Sequence, residues 1–247
     1  MSKLRVGTIE PQSGTNLNLG ASGDTVTVSS DSIKANTFKD AGGNTLWTSD
    51  GAGTVSSVNS AMSGGGVTFI SETTVSSPAA TVAFNLTGSY EEYMLVCTDV
   101  VNATDSQFFA FQCNTNNLKI TSTYWQSYQE HGGAGQGAAQ RTGMTQAGGT
   151  NWQLMSEECR NNAPPQSAGN WIINLFSPSN TTYLKHFNST CSYTGRFSGS
   201  SWEANGFTAG IIWQTAALTS ITVRFMANTS NSTGDNITSG HFALYGI

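Results

Sequence analysis

From Val67 to the C-terminus the chain repeats one unit: a strand-length apolar or alternating run every ten to twenty residues. The runs are TVAFNL, EYMLVCTDVV, SQFFAFQCN, TYWQSYQ, NWQLM, NWIINLF, YLKHFNSTCSY, SITVRFMA and HFALYGI, and turn-forming stretches such as LTGSY, FSPSN, YTGRFSGS and NSTGDN separate them. Short strands at this spacing, with no segment periodic enough for a long helix, predict an all-β sandwich of the jelly-roll kind. The alternation is cleanest in Tyr183, Lys185, Phe187, Ser189, Cys191, Tyr193 and in Ile221, Val223, Phe225, Ala227, where one set of side chains faces a core. Two runs lack a wet side. Between Gln107 and Cys113, Phe108 and Ala110 lie on one face while Phe109, Phe111 and Cys113 lie on the other. In the terminal run, Phe242 and Leu244 oppose Ala243, Tyr245 and Ile247. Strands that are apolar on both faces must be covered twice, and a neighbouring subunit is the simplest second cover. Phe109, Phe111, Tyr245 and Ile247 are therefore expected at an oligomer interface.

Composition supports the same class. Only 10% of residues are charged and 27 are Gly, a balance that disfavours helices and suits turn-rich sheets. Twelve Phe, seven Tyr and six Trp are too many for a disordered chain. The net charge is −5 and the ten basic residues are dispersed from Lys3 to Arg224, so the electrostatic footprint of a nucleic-acid binder is missing. No apolar run approaches the roughly 20 residues of a membrane helix, and MSKLRVGTIEPQSG has no apolar core of a secretory signal. Membrane insertion is not expected. The four cysteines, Cys97, Cys113, Cys159 and Cys191, are widely spaced and read as buried free thiols, not as a zinc site or disulfides. Seven Asn-x-Ser/Thr sequons, at Asn85, Asn102, Asn180, Asn188, Asn228, Asn231 and Asn236, arise by chance in a chain this rich in Asn, Ser and Thr.

Residues 1–62 have a different grammar. Phe38 and Trp47 are their only aromatic residues, and the sparse apolar positions cannot close a core. Gly23 to Asp31 (GDTVTVSSD) is echoed twenty residues on by Gly43 to Asp50 (GNTLWTSD), a turn and a short alternating strand of the sort that is stable when stacked or shared between chains. A Ser/Gly linker is the alternative. Against it, Val26 and Val28 alternate as strand residues should, and AGGN at Ala41 to Asn44 looks like a turn. Val26, Val28, Phe38 and Trp47 are the expected interface residues of this β-rich stem. A Gly-rich hinge, 63–66, separates it from a sandwich head, 67–247.

The opening SKLRVGTIEP, followed by GDTVTVSSDSIKANTFKDAGGNTLWTSDGAGTVSSVNS, resembles the N-terminal segments of tail-fibre and other virion structural proteins of bacteriophages, particularly marine and cyanobacterial ones. The closing GHFALYGI is similar to the C-terminal strand of phage appendage domains. Together the two ends touch about a quarter of the chain. The resemblance implies a virion appendage: a homotrimer whose N-terminal stem attaches to other virion proteins and whose jelly-roll head contacts the host surface, located on the virion after assembly in the host cytoplasm. A capsid fibre or decoration protein of the same build fits equally, and a polysaccharide-degrading tailspike is the enzymatic alternative.

Catalytic groups are hard to find. Glycoside hydrolysis needs two carboxylates converging on one sugar, but Glu91-Glu92 and Glu157-Glu158 are strand neighbours that point apart. His131, His186 and His241 show no metal-ligand spacing, and no nucleophile motif occurs. No enzyme, metal or cofactor is expected. Binding is easier to support. Tyr124, Trp125 and Tyr128 precede a glycine-rich segment, Glu130 to Arg141, which reads as a long loop, and Trp202 sits in an apparent turn. Aromatic faces beside amides and hydroxyls suit sugars, so these four are the expected receptor contacts. The competing reading is that the aromatics belong to the core or an interface.

Overall fold

The computed structural model describes residues 37–40, 42–49, 52, 55–58, 66–88, 90–114, 118–161, 168–197, 200–227, 229 and 233–247. The chain divides into two compact units, Met1–Gly64 and Gly65–Ile247, and the division falls inside the Gly-rich stretch.

The first unit contains an antiparallel sheet of β1 (Thr37–Lys39), β2 (Thr45–Ser49) and β3 (Val55–Val58). Its first turn is set locally. The Asp40 carboxylate accepts from the Asn44 backbone at 2.8 Å and from its side-chain amide, and Gly43 takes the left-handed conformation (φ +84°) that a β-carbon would strain. Those hydrogen bonds hold the Asp40 carboxyl below its ordinary pKa. Phe38 stands opposite Trp47 and the rings stack at 4.3 Å, yet no described side chain of this unit is buried. Val26 and Val28 lie outside the described residues.

The second unit is all-β and antiparallel, with one short 3-10 turn, Thr142–Met144. Its larger layer runs in the order β4 (Thr68–Val75), β17 (Ile237–Gly246), β6 (Glu92–Asn102), β12 (Gly169–Phe176), β13 (Lys185–Phe197), β14 (Ser200–Ile212) and β8 (Ile120–Glu130). β9 (Gln136–Gln140) and β10 (Gln146–Gly149) share the far edge of β8. The smaller layer places β7 (Gln107–Cys113) between β11 (Gln153–Cys159) and β15 (Ser220–Met226), with β5 (Val82–Asn85) and β16 (Gly234–Asp235) along the outer side of β15. A single register pair, Cys159 with Gly195, joins the layers at one margin. Everywhere else they meet through side chains.

Alternation decides what fills the space between them. Phe187, Ser189, Cys191 and Tyr193 point inward from β13, and Ile221, Val223 and Phe225 from β15. Phe109 lies 4.2 Å from the Trp171 ring and 5.2 Å from Phe225, and Phe111 meets Phe187 edge-on at 4.9 Å. Phe109 and Phe111 are fully buried in the chain's own core, which corrects their expected place at an oligomer interface. The other face of β7 is also covered from within the chain. Phe108 and Ala110 pack with Leu154, Met226, Tyr124 and Met144 of the 3-10 turn in a second, smaller cluster. The cover is the β9–β10 connection, a segment whose glycines gave no apolar signal in the sequence.

The terminal strand behaves differently. Phe242 and Leu244 face the core and Ala243 is buried, but Tyr245 is half-buried beside Phe69, 5.9 Å away, and Ile247 is exposed. A buried cation marks the loop end of the sandwich: the Lys185 ammonium donates to the carbonyls of Asn180, Tyr183 (2.8 Å), Gln214 (3.4 Å) and Thr215 (3.0 Å). Four acceptors satisfy a charge that burial alone makes costly. All four cysteines are free and buried.

Candidate functional site

Strand geometry separates the four residues expected to bind a receptor. Tyr124 and Trp125 are neighbours on β8 and so point to opposite faces. Tyr124 is completely buried, while Trp125 stands on the outer face of the large sheet, 52% exposed. Tyr124 therefore offers nothing to a ligand, a correction that follows from strand parity. The competing assignment to the core is the right one for this residue.

Tyr128 and Trp202 do come together, at 5.0 Å and nearly perpendicular, because Glu130 pairs with Trp202 and Tyr128 with Ala204 across β8 and β14. The Gly-rich stretch accounts for their closeness. It is not one long loop: Gln136–Gln140 forms β9 and pairs with β8 from Trp125 to Gln129. A β-carbon on Gly135 would come within 2.3 Å of the Trp202 ring, and one on Gly137 within 2.6 Å of the Tyr128 hydroxyl. The glycines thus let the backbone lie against the two rings.

Around these rings lies a polar cleft at the margin where the layers join. Arg141 stacks over Tyr128 at 5.3 Å and pairs through Nε with Glu157 Oε1 at 3.2 Å. Gln126 Nε2 donates to Glu157 Oε2 (3.2 Å), and the hydroxyls of Tyr124 and Tyr193 both donate to Gln126 Oε1 (3.0 and 3.1 Å). The Glu157 backbone N–H donates to Tyr193 Oη (2.9 Å). Burial pushes the Glu157 carboxyl up, against the pull of Arg141 and Gln126, and burial likewise keeps both tyrosines protonated far above their ordinary range. The space left among these groups is about 10 Å³, close to the room that one water needs. A sugar ring does not fit. The cleft is a satisfied network that ties β8, β11 and β13 together.

The remaining ionisable side chains are scattered. His131 lies 3.8 Å from Glu203 and His241 3.1 Å from Glu72, and His186 is exposed on the large sheet. Among the described residues no group of three or more His, Cys, Asp or Glu side chains converges as a metal site would require.

Of the outer face of the large sheet, sequence reasoning named Trp125, Tyr245 and Ile247 and missed the rest. Register places Tyr245 beside Phe69 and Met94, Ala243 beside Val96, and Val96 beside Ile172. Further along, Phe207 stands directly opposite Trp125. Seven of the eight exposed large apolar side chains, Val67, Phe69, Trp125, Ile172, Phe207, Trp213 and Ile247, belong to the strands of this sheet or directly flank them. The signal was present as alternate apolar residues along the strands, and only register aligned them. Comparison with protein-family models, with curated proteins and with solved structures finds no match to the chain.

Proposed function

We propose that the chain is a structural component of a bacteriophage virion, a homotrimeric tail-fibre or appendage protein with a jelly-roll-like head. Its N-terminal segment attaches to other virion proteins and its head meets the host surface. The observation that carries self-association is the apolar half of the outer sheet face, where Phe69, Tyr245, Met94, Val96, Ala243 and Ile172 form a continuous patch across β4, β17, β6 and β12. Apolar surface of this kind, on a fold whose core is already filled, marks a protein interface. The half-covered terminal strand is part of the patch, and among the described residues the N-terminal sheet has no buried side chain; both gain burial when copies associate. The virion assignment itself rests on the resemblance of the two chain ends. The work is mechanical and adhesive, done by interface area.

Sedimentation velocity on the full chain tests the oligomer: a trimer is expected, and Val96→Glu combined with Ile172→Glu should return a folded monomer, since both side chains point out of the sheet. A monomeric wild type removes the basis of the reading. Immunogold labelling of virions tests the location and distinguishes a tail appendage from a capsid fibre or decoration protein.

A further inference from the structure

On the outer sheet face the row Ala243, Val96, Ile172 of the apolar patch continues past Thr190 with aromatic residues. On the β13, β14 and β8 side, the cross-strand row Gln140, Trp125, Phe207, Thr190 runs perpendicular to the strands. Four strands at the usual spacing make this row about 14 Å long. Trp125 and Phe207 are 52% and 46% exposed, so two aromatic side chains opposite each other in register stand on the sheet with their surfaces in water. The rows to either side are of another chemistry. One is Ser127, Asn205, Ser192 and Asn170; the other is Thr123, Ala209, Asn188 and Asn174. Apart from Ala209 every member carries a hydroxyl or an amide, and none carries a charge. The Asn174 amide donates to Asn188 Oδ1 at 2.9 Å, which fixes the direction of both side chains. A solvent-open depression of about 450 Å³, which His186 also lines, lies on the Thr123 side, and another of about 400 Å³, which Val96 and Ile172 also line, lies on the Asn205 side.

We infer that this half-face is a binding site for a neutral polysaccharide, lying across the strands along Trp125 and Phe207. A pyranose ring has an apolar C–H face and a rim of hydroxyls, and it matches an aromatic platform bordered by amides and hydroxyls. The absence of charge from the three rows selects against the alternatives. Nucleic acid and acidic glycans need cations, and the three rows hold none, on a chain of net charge −5. A second copy seated on this half would bury Asn, Ser and Thr side chains, which is unfavourable unless their hydrogen bonds are replaced. The site rests on the host-contacting part of the function proposed above, and not on trimerisation.

The test is affinity electrophoresis of the full chain through gels containing neutral polymers of glucose, mannose, galactose or N-acetylglucosamine, with alginate as the acidic control and sedimentation velocity on the same samples. Retardation by at least one neutral polymer and none by alginate is expected. Trp125→Ala and Phe207→Ala should each weaken it about tenfold, and Thr190→Arg should block the row, all three leaving the sedimentation coefficient unchanged. Trp202→Ala, in the closed cleft, should bind as the wild type does. No retardation by any neutral polymer, or undiminished binding in Trp125→Ala, overturns the inference. A change of oligomeric state in Trp125→Ala or Phe207→Ala also overturns it, by showing that a second copy covers this half as well. Loss of the trimer in the Val96/Ile172 variant with glycan binding retained leaves this site standing and refutes nothing about it.

Discussion

Phe38 and Trp47 of the N-terminal sheet stack at 4.3 Å, and Phe109 and Trp171 of the head meet at 4.2 Å. The contacts are alike; their surroundings are not. The first pair remains partly exposed on both partners, while the second is sealed between two layers. Hydrophobic stabilisation scales with the area removed from water and not with the number of ring contacts. Among the described residues the three-stranded sheet has one layer, whereas the head supplies a second layer and, at β7, a further cover. The comparison teaches that the head buries a core of its own, while the described N-terminal sheet buries no side chain.

The largest expected effect that tests this contrast is chemical. Every cysteine lies in the head, and burial pushes the Cys113 and Cys159 thiols up to about 12, with Cys97 and Cys191 raised by the same cause. At pH 8 a thiol with pKa 12 is ionised in roughly one molecule in 10⁴, so a thiol reagent should label the folded protein orders of magnitude more slowly than the unfolded chain. Deleting 1–64 should leave that rate within about twofold; a large acceleration would show that the head leans on the stem. The sign of the pH dependence follows. The folded-state values lie above the unfolded value of about 8.5, so the thiols' contribution to stability is complete below that pH and is lost as the pH climbs toward 12. Urea midpoints measured between pH 7 and pH 10 should fall.

Next in size is Phe109→Ala, which empties the centre of the core between Trp171 and Phe225 and should cost the head about 3–5 kcal/mol in urea unfolding. A loss below about 1 kcal/mol would mean that this core is less closely packed than its ring geometry implies. The smallest effect is Trp47→Ala. An exposed stacked pair contributes about 0.5–1.5 kcal/mol, and none of that should appear in the unfolding of the head. If the head's midpoint moved with Trp47, the two units would be coupled and the contrast between them would fail.

Several features were legible because they are local. The alternation in Lys185 to Tyr193 and in Ile221 to Phe225 named the core faces of β13 and β15, since side-chain parity is a property of the strand alone. The turn at Ala41 to Asn44 was readable from Asn and Gly for the same reason. Parity also implied that Tyr124 and Trp125 point apart, but nothing local says which of them faces inward. The doubly apolar β7 was recognised as needing two covers; the second proved to be the β9–β10 connection of the same chain, through Met144, instead of a sister subunit.

What the sequence determined by itself is the class of fold, the places where strands run and turn, and the need of some strands for cover on both faces, because periodicity and turn chemistry act over a few residues. Partnership was decided only in three dimensions. The four carbonyls around Lys185 come from loops some thirty residues apart. Gln140, Trp125, Phe207 and Thr190 become one row through register across four strands. Tertiary structure brings together residues that no local rule relates, and it is there that a filled cleft was told apart from an open, uncharged aromatic surface.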